Sequence, residues 1–112
     1  MKKSKFIFYP LCVKRELKNY QFSIFGLGEG GKKLLSILEP FKPTLIFDND
    51  QYKQGKIYRG VPVVPPEIIS TSACSIIVIS TLNYHIVVYE IHKIKSSDLT
   101  FLIPDPSLIY KL

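Results

Sequence analysis

The chain has 112 residues, 46% hydrophobic and 21% charged, a balance that argues against disorder and suits one globular domain with a modest core. Its net charge of +6 includes a basic head, Lys2, Lys3 and Lys5 followed by Lys14, Arg15 and Lys18, which fits an anionic partner such as phosphate or a solvated surface. No stretch approaches the ~20 apolar residues of a membrane span, and the aromatic-plus-basic pattern of a nucleic-acid module is missing.

Residues 1–20 read as an N-terminal extension. Lys5 to Tyr9 suits a short extended piece or a frayed end, and Pro10 with Leu11, Lys14, Arg15 and Lys18 at helical spacing predicts a short helix over 10–19. The lysines ahead of Phe6-Ile7-Phe8 resemble the start of a signal peptide. Pro10, Lys14 and Arg15 interrupt the apolar run, however, and no small-residue cleavage site follows, so a cytoplasmic location is expected. Cys12 and Cys74 form no CxxC or Cys/His cluster and read as structural thiols, with no metal site expected.

Phe22 to Phe25 is a short buried strand that ends at Gly26. Leu34, Leu35 and Leu38 mark one face of the helix that follows, and Pro40 and Pro43 close it. Thr44 to Phe47 is a second strand, ending in Asp48-Asn49-Asp50. Residues 51–60 form a polar, turn-rich excursion. Val61 to Val64 is a third strand, and Pro62 suggests an edge position. Pro65-Pro66 start a one- or two-turn helix through Ile69. Ser75 to Ser80 is apolar on both faces, as a central parallel strand should be. Asn83 to Lys95 is an amphipathic helix, Leu99 to Ile103 a last strand, and 104–112 a tail.

Strands alternating with crossovers predict an α/β domain over residues 21–103. It is a single small Rossmann-like unit with a mostly parallel five-stranded sheet and helices on both faces. Counting these strands along the chain, the expected order is 3-2-1-4-5. Its topological switch point then lies between the first and fourth strands, next to Gly26–Gly31 and Ser80–Tyr84.

Gly26-Leu27-Gly28-Glu29-Gly30-Gly31 matches G-x-G-x-x-G. In that pattern Gly26 permits the turn, Gly28 lets a pyrophosphate approach the backbone, and Gly31 allows close helix packing. The helix N-terminus offers unpaired N–H groups and a positive dipole end to the anion. Asp48 lies about 20 residues beyond Gly28, at the spacing from which a carboxylate accepts hydrogen bonds from ribose hydroxyls. A ligand-free tight turn with a solvated Asp48 satisfies the same pattern. Glu29 would repel a diphosphate unless it points away, and Lys32 and Lys33 oppose the helix dipole unless an anion binds. Asp48 favours NAD over NADP, while Lys53 and Arg59 on the excursion keep NADP and a nucleotide-sugar diphosphate open.

Ser80 and Thr81 could contact phosphate or ribose, or cap the next helix. Tyr89-x-x-x-Lys93 matches the tyrosine–lysine pair of short-chain dehydrogenases, but a chance match at this spacing reads better. His85 and His92 have no carboxylate at ligand spacing.

Gly26-x-Gly-x-x-Gly31, Phe47-Asp48-Asn49-Asp50, Lys53-x-Gly55, Gly60-Val61-Pro62-Val63 and the Ile76–Ser80 strand together resemble the N-terminal Rossmann-like domain of bacterial polysaccharide-biosynthesis proteins. These are the sugar epimerase/dehydratases and the sugar O-acyltransferases of the sialic-acid and bacillosamine type. The resemblance covers about residues 21–103 and implies a UDP-sugar ligand, with Asp48 and Asn49 helping to hold the nucleotide. Glu29-Gly30 stand where those acyltransferases tend to have glycine and histidine. These 112 residues contain neither a hexapeptide-repeat β-helix nor an extended dehydrogenase domain.

The expected protein is a module that binds a small nucleotide-containing ligand, with NAD or a UDP-sugar as its possible cofactor and no catalytic residue of its own. It would bind through Gly26, Leu27, Gly28, Glu29, Gly30, Gly31, Asp48, Asn49, Ser80 and Thr81, and serve as a homodimer or beside a separately encoded sugar-modifying enzyme. The alternatives are an interaction domain that docks a separate transferase, and a small NAD-dependent oxidoreductase using Tyr84 or His85 as proton donor.

Overall fold

The computed structural model describes residues 21–72, 75–81, 83–95 and 98–104, and the backbone of 5–9. The helix expected over 10–19, both cysteines and the tail beyond Pro104 lie outside the described residues.

The chain order is β1 (Lys5–Tyr9), β2 (Ser23–Phe25), α1 (Glu29–Leu38), β3 (Ile46–Phe47), β4 (Ile57–Tyr58) and β5 (Val61–Val64). A 3-10 helix (Pro66–Ser70), β6 (Ile76–Ile79), α2 (Tyr84–Ile94) and β7 (Thr100–Pro104) follow. The strands form one sheet in the order β1-β7-β6-β2-β3-β5-β4. Neighbours run parallel throughout except β4 and β5, which are antiparallel.

The sheet is therefore mixed and seven-stranded, and its order differs from the expected 3-2-1-4-5 by a strand added at each edge. At one edge β1, within the span read as an extension, pairs with β7 from Lys5 opposite Thr100 to Tyr9 opposite Pro104. At the other edge β4 folds back on β5 around Arg59-Gly60, with Tyr58 opposite Val61. Both turn residues have positive φ, 50° at Arg59 and 81° at Gly60, as a two-residue hairpin turn of the right twist requires. Val61–Val64 is consequently not an edge strand. Pro62 is tolerated because pairing of β5 with β3 begins one residue later, at Val63 opposite Ile46, so no ladder bond needs its missing N–H.

Period-2 alternation sorts the sheet side chains into two cores. Ile24, Ile46, Val63, Val78 and Leu102 share one cluster with Leu34, Leu35 and Leu38 of α1. Phe25, Phe47, Ile77, Ile79, Phe101 and Ile103 share the other with Ile69 of the 3-10 helix and Val88 and Ile91 of α2. Helices thus cover both faces, and the interior strands are apolar on both sides for that reason. Among the described residues no helix is long and apolar enough to cross a membrane.

Candidate functional site

The glycine segment leaves β2, crosses the carboxyl end of the sheet and enters α1. Gly26 has φ +103°, a conformation that side chains disfavour, and its N–H donates to the Phe47 carbonyl at 2.8 Å. Ser80 lies beneath it, buried. Its hydroxyl sits 3.0 Å from the Phe25 carbonyl oxygen and 3.1 Å from that of Gly26. A Cβ on Gly26 would stand 2.8 Å from Ser80 Oγ, and one on Gly31 only 2.0 Å from the Gly26 carbonyl oxygen. Gly26, Gly31 and Ser80 therefore form the packed underside of the loop. Gly31 admits the Gly26 carbonyl, and a Cβ there would also come 3.4 Å from Ser80 Oγ at the end of β6.

The outer side differs. Gly28 is the helix N-cap in extended geometry (φ −96°, ψ −158°), and a Cβ there would meet nothing within 4 Å among the described residues. Gly28 has no side chain to cap α1, and among the described residues no side chain accepts from the first-turn N–H groups. Glu29 is exposed in the first turn, where its charge complements the helix dipole. Gly30 is buried. Leu27 points inward, 5% exposed, and belongs to the α1-side core, so its side chain is not a ligand contact.

Asp48 holds this loop directly. Its Oδ2 accepts from the Leu27 N–H at 2.7 Å and its Oδ1 from the Asp50 N–H at 2.8 Å. Each carboxylate oxygen thus carries one amide and keeps acceptor capacity for a further donor. The amide of Leu27, one of the residues expected to bind a ligand, is engaged by Asp48. Asp50 continues the pattern, with Oδ1 accepting from the Tyr52 N–H at 2.9 Å, and Gln54 Nε2 donates to the Asp48 carbonyl at 2.8 Å. Lys53 then returns to the loop, and its Nζ donates to the Leu27 carbonyl at 2.8 Å. Comparison with protein-family models, with curated proteins and with solved structures gave no match.

The remaining expected residues separate. Asn49 is exposed beside Asp48. The Ser80 hydroxyl is turned into the loop carbonyls of Phe25 and Gly26, and the N-cap of α2 is Asn83. Thr81 is half-buried with its Cγ2 toward Gly26, and its Oγ1 is a buried oxygen with no hydrogen-bond partner among the described residues.

Arg59 is removed from the phosphate reading. It ion-pairs with Glu39 at 3.0 Å, at the C-terminal end of α1, about 15 Å of helix away from Gly28. Tyr58 lies alongside α1 between its two ends, with Lys32 of the helix's N-terminal half and Arg59 each 5.8 Å from its ring centroid. Tyr89 and Lys93 form a solvent-facing pair, the ammonium 4.7 Å from the ring centroid, with Glu90 3.5 Å from Lys93. His85 is exposed, and Tyr84 packs on the α2-side core.

Two contributors escaped the sequence reading. Gln54 carries no motif of its own. Asp50 lies in Asp48-Asn49-Asp50, whose acidic residues two apart are a signal for side-chain-to-backbone turns.

Proposed function

We propose that this chain is a Rossmann-like module that binds a nucleotide or nucleotide-sugar at the Gly26–Gly31 loop. The observation that carries the reading is the asymmetry of that loop: a packed, glycine-dependent underside and an outer side at Gly28 that is uncapped and open among the described residues. A phosphate or diphosphate on the first-turn amides would take the place of the missing cap. Asp48 orients the loop and keeps lone pairs for ribose hydroxyls, and the buried Thr81 hydroxyl at the switch point supplies a further polar group. The likeness to sugar O-acyltransferase and epimerase/dehydratase domains supports a UDP-sugar as the first ligand to try. Chemistry on that ligand would belong to a partner.

The test is a titration followed by calorimetry and by melting temperature with UDP, UDP-sugars, NAD and NADP. A ligand bound only by the folded state raises the melting temperature by mass action. Gly28→Val puts a branched side chain into the open outer side at a backbone geometry valine accepts. It is expected to abolish binding with the fold retained, and unchanged affinity would remove the loop from the site.

A docking module is the second reading. Ile86 and Tyr89, three residues apart on α2, are 53% and 63% exposed. Crosslinking to a co-expressed transferase that is lost in Ile86→Lys, with no nucleotide bound, would favour it.

A further inference from the structure

We infer that the outer edge of β1 is a pairing surface for a second copy of this chain, two β1 strands meeting antiparallel about a two-fold axis at Ile7. The inference is independent of any ligand at the glycine loop.

The two edges of the sheet differ. At the β4 end the strand has two residues. Tyr58 closes the hairpin opposite Val61, and the Lys56 carbonyl accepts from the Val63 N–H at 2.9 Å, so within β4 Ile57 alone turns its backbone groups outward. A strand this short, flanked by Lys56 and Arg59, is a protected edge. β1 is built otherwise. It has five residues, Lys5-Phe6-Ile7-Phe8-Tyr9, with one charge and neither proline nor glycine, and among the described residues no strand lies on its outer side.

The ladder to β7 fixes which groups face out. The Thr100 N–H donates to the Ser75 carbonyl at 2.8 Å, toward β6. Alternation then turns the backbone groups of Phe101 and Ile103 toward β1. In a parallel pair each such residue bonds to the two neighbours of its register partner. Phe101 stands opposite Phe6, and Ile103 opposite Phe8. Lys5, Ile7 and Tyr9 therefore direct their backbone groups to β7, while the N–H and C=O of Phe6 and Phe8 point away from the sheet.

A second copy satisfies this pattern by symmetry. With antiparallel strands centred on Ile7, Phe6 of each copy is opposite the partner's Phe8, and each such pair exchanges two N–H···O bonds. All positions of β1 overlap, and any other centre overlaps fewer. The charges agree as well. Lys5 is opposite the partner's Tyr9, whereas a parallel arrangement would set Lys5 beside the partner's Lys5. Pairing uses both long edges and leaves β4 at each end of one continuous sheet, so assembly closes at two copies.

The experiment follows the full chain by sedimentation equilibrium over a concentration series, with amide exchange read by NMR at both ends of the series. The mass should rise from 12.8 kDa toward twice that value and no further. Exchange of the Phe6 and Phe8 amides should slow as concentration rises, while the Ile7 and Tyr9 amides, held by β7, stay slow throughout. Tyr9→Lys sets like charges opposite each other at both ends of the pairing and should weaken association about fivefold. Adding Lys5→Glu makes those charges opposite in sign and should restore it. A mass fixed at 12.8 kDa, growth beyond the dimer, or a dimer in which Phe6 and Phe8 exchange as fast as in dilute solution would overturn the inference. So would association unchanged in Tyr9→Lys, or lost there and not regained in the double variant, because the antiparallel register would then be wrong.

Discussion

Gly31 and Gly28 lie three residues apart in one motif, yet alanine should act on them very differently. At Gly31 the new Cβ would stand 2.0 Å from the Gly26 carbonyl oxygen, roughly 1.3 Å inside an ordinary C···O approach of about 3.3 Å. That carbonyl has little room to retreat, because the Gly26 N–H is bound to Phe47 and Ser80 Oγ presses from below at 3.1 Å. Alanine gains about 1 kcal/mol of helix propensity, whereas overpacking costs about 1–3 kcal/mol against movable side chains and more against backbone. A net loss of about 2–3 kcal/mol follows. With an unfolding entropy of about 2.1 cal/mol/K per residue, each kcal/mol is worth about 4 °C, so Gly31→Ala should melt about 8–12 °C lower. At Gly28 the Cβ enters open space, and only the weaker N-cap preference of alanine counts, about 0.5–1 kcal/mol or 2–4 °C. Thermal melts followed by circular dichroism distinguish the two. A Gly31→Ala protein melting within about 2 °C of the parent, or Gly28→Ala falling further than Gly31→Ala, would refute the packed-underside argument.

Asp48→Ala removes the acceptor from two backbone amides and should cost about 2–3 kcal/mol in urea unfolding, with Asp48→Asn recovering about half. Leu38→Ala, at a fully buried site between α1 and the sheet, should cost about 2–5 kcal/mol with an unchanged denaturant slope. Arg59→Asn should stabilise by about 0.5 kcal/mol. Asparagine accepts the positive φ of the hairpin turn, and the Glu39 ion pair it gives up is exposed on both sides, so a lower midpoint would count against the turn assignment.

The sheet interior was readable because burial on two faces forces consecutive apolar residues. Ile76 to Ile79 and Phe101 to Ile103 announce themselves without reference to anything distant. A strand of two residues has no period to read, which is why β4 hid within a polar excursion. Its trace was Arg59-Gly60 set between Ile57-Tyr58 and Val61, the spacing of a two-residue hairpin. The glycine loop was legible as a turn, but the division of labour inside it was not. Whether Asp48 looks outward to a ribose or inward to Leu27 depends on how the turn after β3 folds back, and so does the difference between Lys53 and Arg59. The hydroxyl of Ser80 could equally have met a ligand, a helix end or the loop. Only the approach of β6 alongside β2 decides that, by placing Ser80 Oγ under Gly26.

The carboxylate grip on Leu27 has a dynamic consequence. Amide deuterium uptake should split this short connection into two kinetic classes. The Gly26 and Leu27 protons, held by Phe47 and Asp48, should exchange at rates near those of the central strands, while those of Gly28 and Glu29 should label almost at once. A connection so rigid on one side meets an incoming molecule already shaped, and little ordering entropy remains to be lost on association.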